Sequence, residues 1–298
     1  MPYLPVREWR IHLGAHKTAT THLQDTLGVH RAAMLPHGVD YIPREDFLWL
    51  ARKYSRSKGW RKMLRSRPLE WQFTRELQRL RRGPDTVLIS DEDLLGYTFD
   101  QLTTPLYRQP KCLHLVKAMG RTGRMRLFLG IRSLDGLVPS AYAETLKAIV
   151  PEPGGMDHAR RALADNPPSW VELVERLHAA LPDATLTVWR YEDYRAHWRE
   201  ILALYVGRDV GEFPELPPPQ RTVSPSPRAI EQAEALDPSL AKQDRVAAVL
   251  DLYARYPAGE EFGAYRPLTQ AEIDRFRARY DEDVALLRAR HPDVLAEF

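Results

Sequence analysis

The stretch Gly14-Ala15-His16-Lys17-Thr18-Ala19-Thr20-Thr21 gathers what an anion site requires. Small residues let the backbone come close to a ligand, Lys17 supplies a point charge, and the three threonines supply hydroxyl donors. The N–H groups of a helix that begins here point outward at an anion. An apolar run, Trp9–Leu13, precedes the stretch, and Leu23 and Leu27 continue it at helical spacing with Gln24 between them. Only Ala15 and His16 separate glycine from lysine. That is too short for the Gly-x-x-x-x-Gly-Lys-Ser/Thr arch of nucleotide triphosphatases.

A second junction has matching chemistry. Leu127-Phe128-Leu129-Gly130-Ile131 reads as a buried strand, and Arg132-Ser133-Leu134-Asp135-Gly136-Leu137-Val138-Pro139-Ser140 follows it. Arginine's planar fork matches phosphate oxygens bidentately, and a serine near a helix start donates a further hydrogen bond. Pro139 fits the first turn of a helix, where N–H groups have no intrahelical partner.

Placing these groups takes an alternating fold. Short β-branched runs recur at Trp9–Leu13, Val39–Ile42, Thr86–Ser90, Arg126–Ile131 and Thr185–Trp189. Between them Thr20–His30, Glu70–Leu80, Leu137–Ile149 and Trp170–Leu181 carry apolar residues three and four apart. The pattern predicts an α/β chain: a P-loop-type parallel sheet of about five strands with helices on both faces. Ligands of such sheets gather at the carboxyl ends of the strands. After Asp193 the pattern turns helical, with a proline-rich connection at Phe213–Pro227 and a terminal helix from Thr269 to about Arg290. With no internal repeat, 1–298 reads as a single domain, a core of 9–194 wrapped by a helical C-terminal region, 195–298.

The first loop resembles the 5′-phosphosulfate loop of sulfotransferases that use 3′-phosphoadenosine 5′-phosphosulfate, whose usual core is Lys-Ser/Thr-Gly-Thr-Thr after an apolar strand. The departure is Ala19 where glycine is commonest, which predicts a negative φ there so that alanine sits without strain. Arg132 and Ser140 have the spacing of the family's arginine and serine that clamp the 3′-phosphate. Ser90-Asp91-Glu92 and Tyr191-Glu192-Asp193 resemble its acidic strand ends, although such ends are common in α/β proteins. The resemblance covers about residues 9–194.

It implies a sulfotransferase of bacterial carbohydrate type. The donor is held by Ala15, His16, Lys17, Thr18, Ala19, Thr20 and Thr21 with Arg132 and Ser140, and adenosine 3′,5′-bisphosphate is the product; no metal is implied. Lys17 would contact the 5′-phosphate and the bridging oxygen, neutralising charge that grows as the S–O bond breaks. The catalytic candidates are Lys17, Glu92 and His16. Glu92 is favoured as base because the neighbouring carboxylate of Asp91 would raise its pKa. Glu45 is a further candidate, equally readable as a helix N-terminal charge. Asp91 and Glu92 together could instead cap a helix.

The densest cationic stretch runs from Arg52 to Arg67 and includes Tyr54 and Trp60. Aromatics among basic residues could stack on sugar rings while the charges hold an anionic glycan. A small alcohol or a lipid headgroup is an alternative hydroxyl acceptor. Across 298 residues, 43 lysines and arginines face 40 acidic residues, net +3, so no nucleic-acid partner is indicated by charge. One cysteine, Cys112, argues against a disulfide framework, and no apolar run approaches the roughly 20 residues of a membrane span, which suggests a cytoplasmic protein. The rivals are a P-loop small-molecule kinase, with Thr18 and Asp91 serving Mg²⁺, and a non-catalytic glycan- or nucleotide-binding protein. Oligomeric state and acceptor identity have no sequence signal.

Overall fold

A computed structural model describes residues 6–55, 67–110, 112–216 and 224–298. Five parallel strands, β1 (Glu8–His12), β2 (Val39–Ile42), β3 (Thr86–Ser90), β4 (Arg124–Ile131) and β5 (Thr185–Arg190), form one sheet in the order β2-β3-β1-β4-β5. Among the described residues eleven α-helices surround it: α1 (Thr20–Met34), α2 (Arg44–Ser55), α3 (Arg67–Leu80), α4 (Leu113–Gly120), α5 (Leu134–Thr145), α6 (Gly155–Asp165), α7 (Trp170–Ala180), α8 (Tyr191–Val206), α9 (Pro227–Glu234), α10 (Lys242–Arg255) and α11 (Gln270–Arg290). This is the α/β architecture that the alternating pattern predicts. None of these helices is long and apolar enough to cross a membrane.

The strands read as near-continuous apolar runs because both faces are covered. Alternation separates the two sides. Val87, Ile89, Leu127, Leu129 and Val188 join one cluster with residues of α2, α3, α5 and α7, and Leu88, Phe128 and Trp189 join the other with residues of α1 and α8. In α1 the buried residues Leu23, Thr26, Leu27, His30 and Met34 follow the three-and-four spacing of an amphipathic helix. The C-terminal region lies on the first side: Val249, Phe276, Val284 and Leu295 belong to the same cluster as β1. Residues 294–296 also pair with the outer edge of β5, Val188 N–H donating to Val294 O and Ala296 N–H to Val188 O, so that edge does not stand open.

α11 opens with a reciprocal cap, Thr269 accepting from Glu272 N–H and the Glu272 carboxylate accepting from Thr269 N–H. Its Asp283 is fully buried and accepts from Ser169 Oγ at 2.7 Å and Trp170 N at 2.6 Å, joining α11 to the start of α7. Burial raises the Asp283 carboxyl above the ordinary aspartate range even though it accepts these hydrogen bonds.

A buried ion pair fixes α1 to the sheet. Asp40 on β2 has no exposed surface; it accepts from Arg31 Nε at 2.8 Å, from Arg31 Nη2 at 3.2 Å and from Arg82 N at 2.6 Å. Removing the carboxylate strands a buried guanidinium. Asp40→Ala is therefore expected to destabilise the fold by about 3–5 kcal/mol in urea or guanidinium unfolding. A loss below about 1 kcal/mol, the range of exposed pairs, would show that the pair carries no such weight.

Candidate anion and transfer site

The strand order places β1 between β3 and β4, where successive crossovers turn in opposite directions. A crevice opens at the carboxyl end of a sheet at such a switch point. The loop 14–19 fills the gap between β1 and α1, with the residues after β3 on one flank and those after β4 on the other.

Its backbone is unusual. Gly14, Lys17 and Ala19 have φ of 71°, 68° and 66°, all left-handed, while Thr18 between them does not. Alternating hands of this kind turn successive N–H groups into one concavity, a nest for anions. The expected negative φ at Ala19 is thus corrected. The sharp entry into α1 takes precedence over alanine's preference, and left-handed backbone costs an L-residue roughly 1–2 kcal/mol. Gly14 is constrained twice: besides its φ, a Cβ there would stand 2.7 Å from Glu92 Cβ and 2.9 Å from Glu92 Cα. Glu92 therefore packs directly on the start of the loop.

The hydroxyls divide their work. Thr18 is buried and donates to Ala15 O at 2.6 Å, closing the loop on itself against Gly130. Thr20 is buried with its hydroxyl 3.5 Å from the same carbonyl, whereas Thr21 is exposed. The side chain of Ala15 is buried too, leaving its carbonyl as the tie for both threonines.

On the β4 flank, Lys17, Arg132 and Ser140 line a single cavity of about 390 Å³ with Glu144, Lys147, Ser224, Tyr253 and Tyr265. Arg132 donates from Nη1 to Lys17 O at 2.9 Å, and its guanidinium lies 4.3 Å from the centre of the Tyr191 ring. The arginine is thereby held against the loop. The expectation that Pro139 and Ser140 lie at a helix start is corrected: α5 begins at Leu134 on the N-cap Ser133, so both residues lie in its interior. Pro139 leaves the carbonyl of Asp135 without its i+4 donor. The spacing to Arg132 survives because the arginine precedes the helix and Ser140 lies about two turns along it.

Sequence reasoning missed Glu144. It lies one turn beyond Ser140, so only the phase of α5 could have brought it to the cavity. Its Oε2 stands 3.3 Å from Lys17 Nζ and 2.9 Å from Lys147 Nζ. Burial acts to raise this carboxyl, but Lys17 and Lys147 outweigh it and hold its pKa below the ordinary glutamate value.

The β3 flank is acidic, and the residues lining the lysine cavity include neither Glu92 nor His16. Glu92 accepts from Gln24 Nε2 at 3.1 Å and pairs with Arg44 Nη2 at 3.3 Å. Asp91 is the N-cap of a single 3-10 turn, Glu92–Leu94, and accepts from Asp93 N, so the capping role is real for Asp91. His16 is clamped. Its N–H donates to Tyr107 Oη at 3.1 Å, its Nδ1 lies 3.1 Å from the same hydroxyl, and its Nε2 is 3.4 Å from Asp93 Oδ1. Gln101 Nε2 also donates to His16 O at 2.9 Å. Glu45 is exposed in the first turn of α2. Tyr191-Glu192-Asp193 begins α8, and Glu192 accepts from Ser133 N and Tyr280 Oη, bracing the β4 and β5 ends against α11. The segment 52–67 is described only at its ends, where Arg52 lies 3.9 Å from Asp93 and Lys53 pairs with Glu76; residues 56–66 lie outside the described residues.

Two tests follow from the loop and its acidic flank. Ala19→Gly relieves the left-handed strain but frees the unfolded chain, so it should stabilise by up to about 1 kcal/mol, while β-branched Ala19→Val should destabilise. A denaturation midpoint lowered by glycine would contradict a left-handed residue 19. Burial pushes the Asp91 carboxyl up to about 7, opposed by Arg44 and aided by Asp93 and Glu92. A carboxyl whose folded pKa is raised stabilises most when protonated, and that contribution is lost as pH climbs from about 4 to about 7. Stability of wild type relative to Asp91→Asn should therefore fall across this window; a flat difference would remove the buried, protonated Asp91.

No protein-family model matches the chain, and no curated protein is significantly similar to it, so a functional reading rests on its own residues.

Proposed function

We propose that the protein is a sulfotransferase that moves the sulfuryl group of 3′-phosphoadenosine 5′-phosphosulfate to a hydroxyl or amine acceptor, a carbohydrate being the acceptor class favoured by the basic, aromatic-bearing segment 52–67. The observation that carries this reading is the convergence of Lys17, Arg132 and Ser140 on one cavity beside a left-handed anion loop. Two anion positions are what a nucleotide phosphorylated at both ends of its ribose requires. The loop amides and Lys17 suit the 5′-phosphosulfate, and the Arg132 fork with Ser140 suits the 3′-phosphate.

In this reading the acceptor oxygen attacks sulfur in line as the bond from sulfur to the 5′-phosphate oxygen breaks. The sulfuryl group passes to the acceptor, adenosine 3′,5′-bisphosphate leaves, and the acceptor proton passes to a base. Lys17 neutralises charge on the departing phosphate, and to do so it exchanges Glu144 for the ligand. Glu92 is the proposed base. It packs on the loop start, and Gln24 and Arg44 fix its carboxylate. His16 is less free for the task because both ring nitrogens are engaged. The kinase alternative would need the Thr18 hydroxyl for Mg²⁺, and that hydroxyl donates to Ala15 O.

Adenosine 3′,5′-bisphosphate should stabilise the protein in the presence of a chelator, by about 2.7 kcal/mol at a hundredfold excess over Kd. Metal-free ADP should bind more weakly, since it lacks the 3′-phosphate; equal stabilisation by ADP would sink the Arg132 and Ser140 assignment. Glu144→Gln should tighten bisphosphate binding by about tenfold, the equivalent of 1.4 kcal/mol, because it releases Lys17 and removes a like charge. Glu92→Gln should cut turnover by about 10²–10⁴ with nucleotide affinity retained. A cut under about tenfold, below the range for a general base, would move that role elsewhere.

A further inference from the structure

The amino ends of the strands hold a second concentration of charge, on the sheet side covered by α1 and α8. There Arg7, Arg10, Arg124, Arg126 and Arg208 line a cavity of about 210 Å³ together with a single carboxylate, Glu8. Parallel register makes Arg10 and Arg126 direct neighbours and sets Glu8 beside Arg124. Adjacent strands lie about 4.8 Å apart, and like charges side by side on one face of a sheet repel.

The charges are unevenly satisfied. Arg10 is committed: it donates from Nε to Tyr205 O at 2.6 Å and from Nη2 to Leu204 O at 2.7 Å, capping the carbonyl end of α8, and it also bonds Glu8. Arg208 donates to His37 O and Thr86 Oγ1 and pairs with Asp85 at 3.4 Å. Glu8, already bonded to Arg10, is the acidic partner shared by Arg126 at 3.4 Å and Arg124 at 3.9 Å. Arg126 Nε is buried without a hydrogen bond. Arg7 has neither a hydrogen bond nor an ion pair from its side chain among the described residues, and the one Glu8 carboxylate is divided among Arg10, Arg124 and Arg126. Gly207 permits the crowding, since a Cβ there would stand 2.5 Å from the Arg10 guanidinium.

We infer that this cavity binds a small tetrahedral oxyanion, phosphate or sulfate, between Arg7, Arg124 and Arg126. Its volume lies below the roughly 300–1,000 Å³ of sites for drug-sized molecules, which suits an ion or a terminal phosphoryl group rather than a nucleotide. Guanidinium forks match such oxygens bidentately, and a dianion supplies the acceptors that Arg126 lacks. The site is separate from the loop: it lies at the amino end of β1 and the loop follows the carboxyl end, with the strand Glu8–His12, roughly 13 Å long, between them. It does not depend on the proposed transferase activity.

The test is a calorimetric titration of inorganic phosphate into Lys17→Ala, in which the loop site is disabled, with ionic strength matched by sodium chloride. The same titration is run on Lys17→Ala carrying Arg124→Gln and Arg126→Gln. Saturable binding at about 1 mM or tighter is expected in the first, with a loss of about tenfold or more in the second. Glucose 1-phosphate as a second titrant distinguishes a free ion from a phosphoryl group: binding comparable to phosphate indicates the terminal group, and its failure indicates the free ion. Thermal unfolding keeps the arginine variant interpretable. Arg126→Gln relieves repulsion, so it should raise the ligand-free midpoint and lose the phosphate-dependent rise. No saturable binding to Lys17→Ala, or binding unchanged by the arginine substitutions, overturns the site.

Discussion

Gly14 and Glu92 touch at the carboxyl edge of the sheet, leaving no room between them for a methyl group. That close approach sets how the chain leaves β1, and the left-handed turns at Lys17 and Ala19 then bring it into α1 within a few residues. Because β1 is the middle strand, the loop they shape has an acidic neighbour after β3 and a cationic one after β4. Lys17 reaches the cationic side and Glu92 closes the acidic side. The left-handed turns leave Lys17 on the cavity that Arg132 also lines, with Ala19 held in a conformation that costs an L-residue roughly 1–2 kcal/mol.

The two ends of the sheet handle charge differently. At the carboxyl end Lys17 and Lys147 share the carboxylate of Glu144, while Arg132 rests on the Lys17 carbonyl and the Tyr191 ring. At the amino end the arginines outnumber their acidic partners, and Arg10 resolves its own share by capping α8. The carbonyl end of α8 thus places fixed negative partial charge beside Arg10. An exchange of partners is natural at the first end, and the second has unmet donors.

Much of this organisation was legible in the sequence. The five strands fall where the β-branched runs predict, since a strand buried on both faces leaves little room for other residue types. Lys17 and Arg132 stood out because each closely follows an apolar strand, and Ser140 because of its spacing from Arg132; the structure brings the three to one cavity. The hand of Ala19 was not legible, because alanine's own preference opposes it and only the sharp entry into α1 demands it. The start of α5 was misplaced for a similar reason: Ser133 and Asp135 begin the helix early, and Pro139 is tolerated inside it. Glu144 and the arginine cluster depend on contacts between segments distant in the chain, of which a linear pattern carries no trace.

Transfer of a sulfuryl group from a donor held by the loop and the cavity beside it, as proposed, can be followed directly. The protein is incubated, with a chelator present, with donor labelled in its sulfuryl group and a panel of glycans, phenols and lipids, alongside Lys17→Ala. Label is expected in at least one acceptor together with equimolar adenosine 3′,5′-bisphosphate, with the rate lowered about 10²–10³-fold in the variant. Label remaining on the donor with every acceptor, or a variant as fast as wild type, would contradict the proposed transfer.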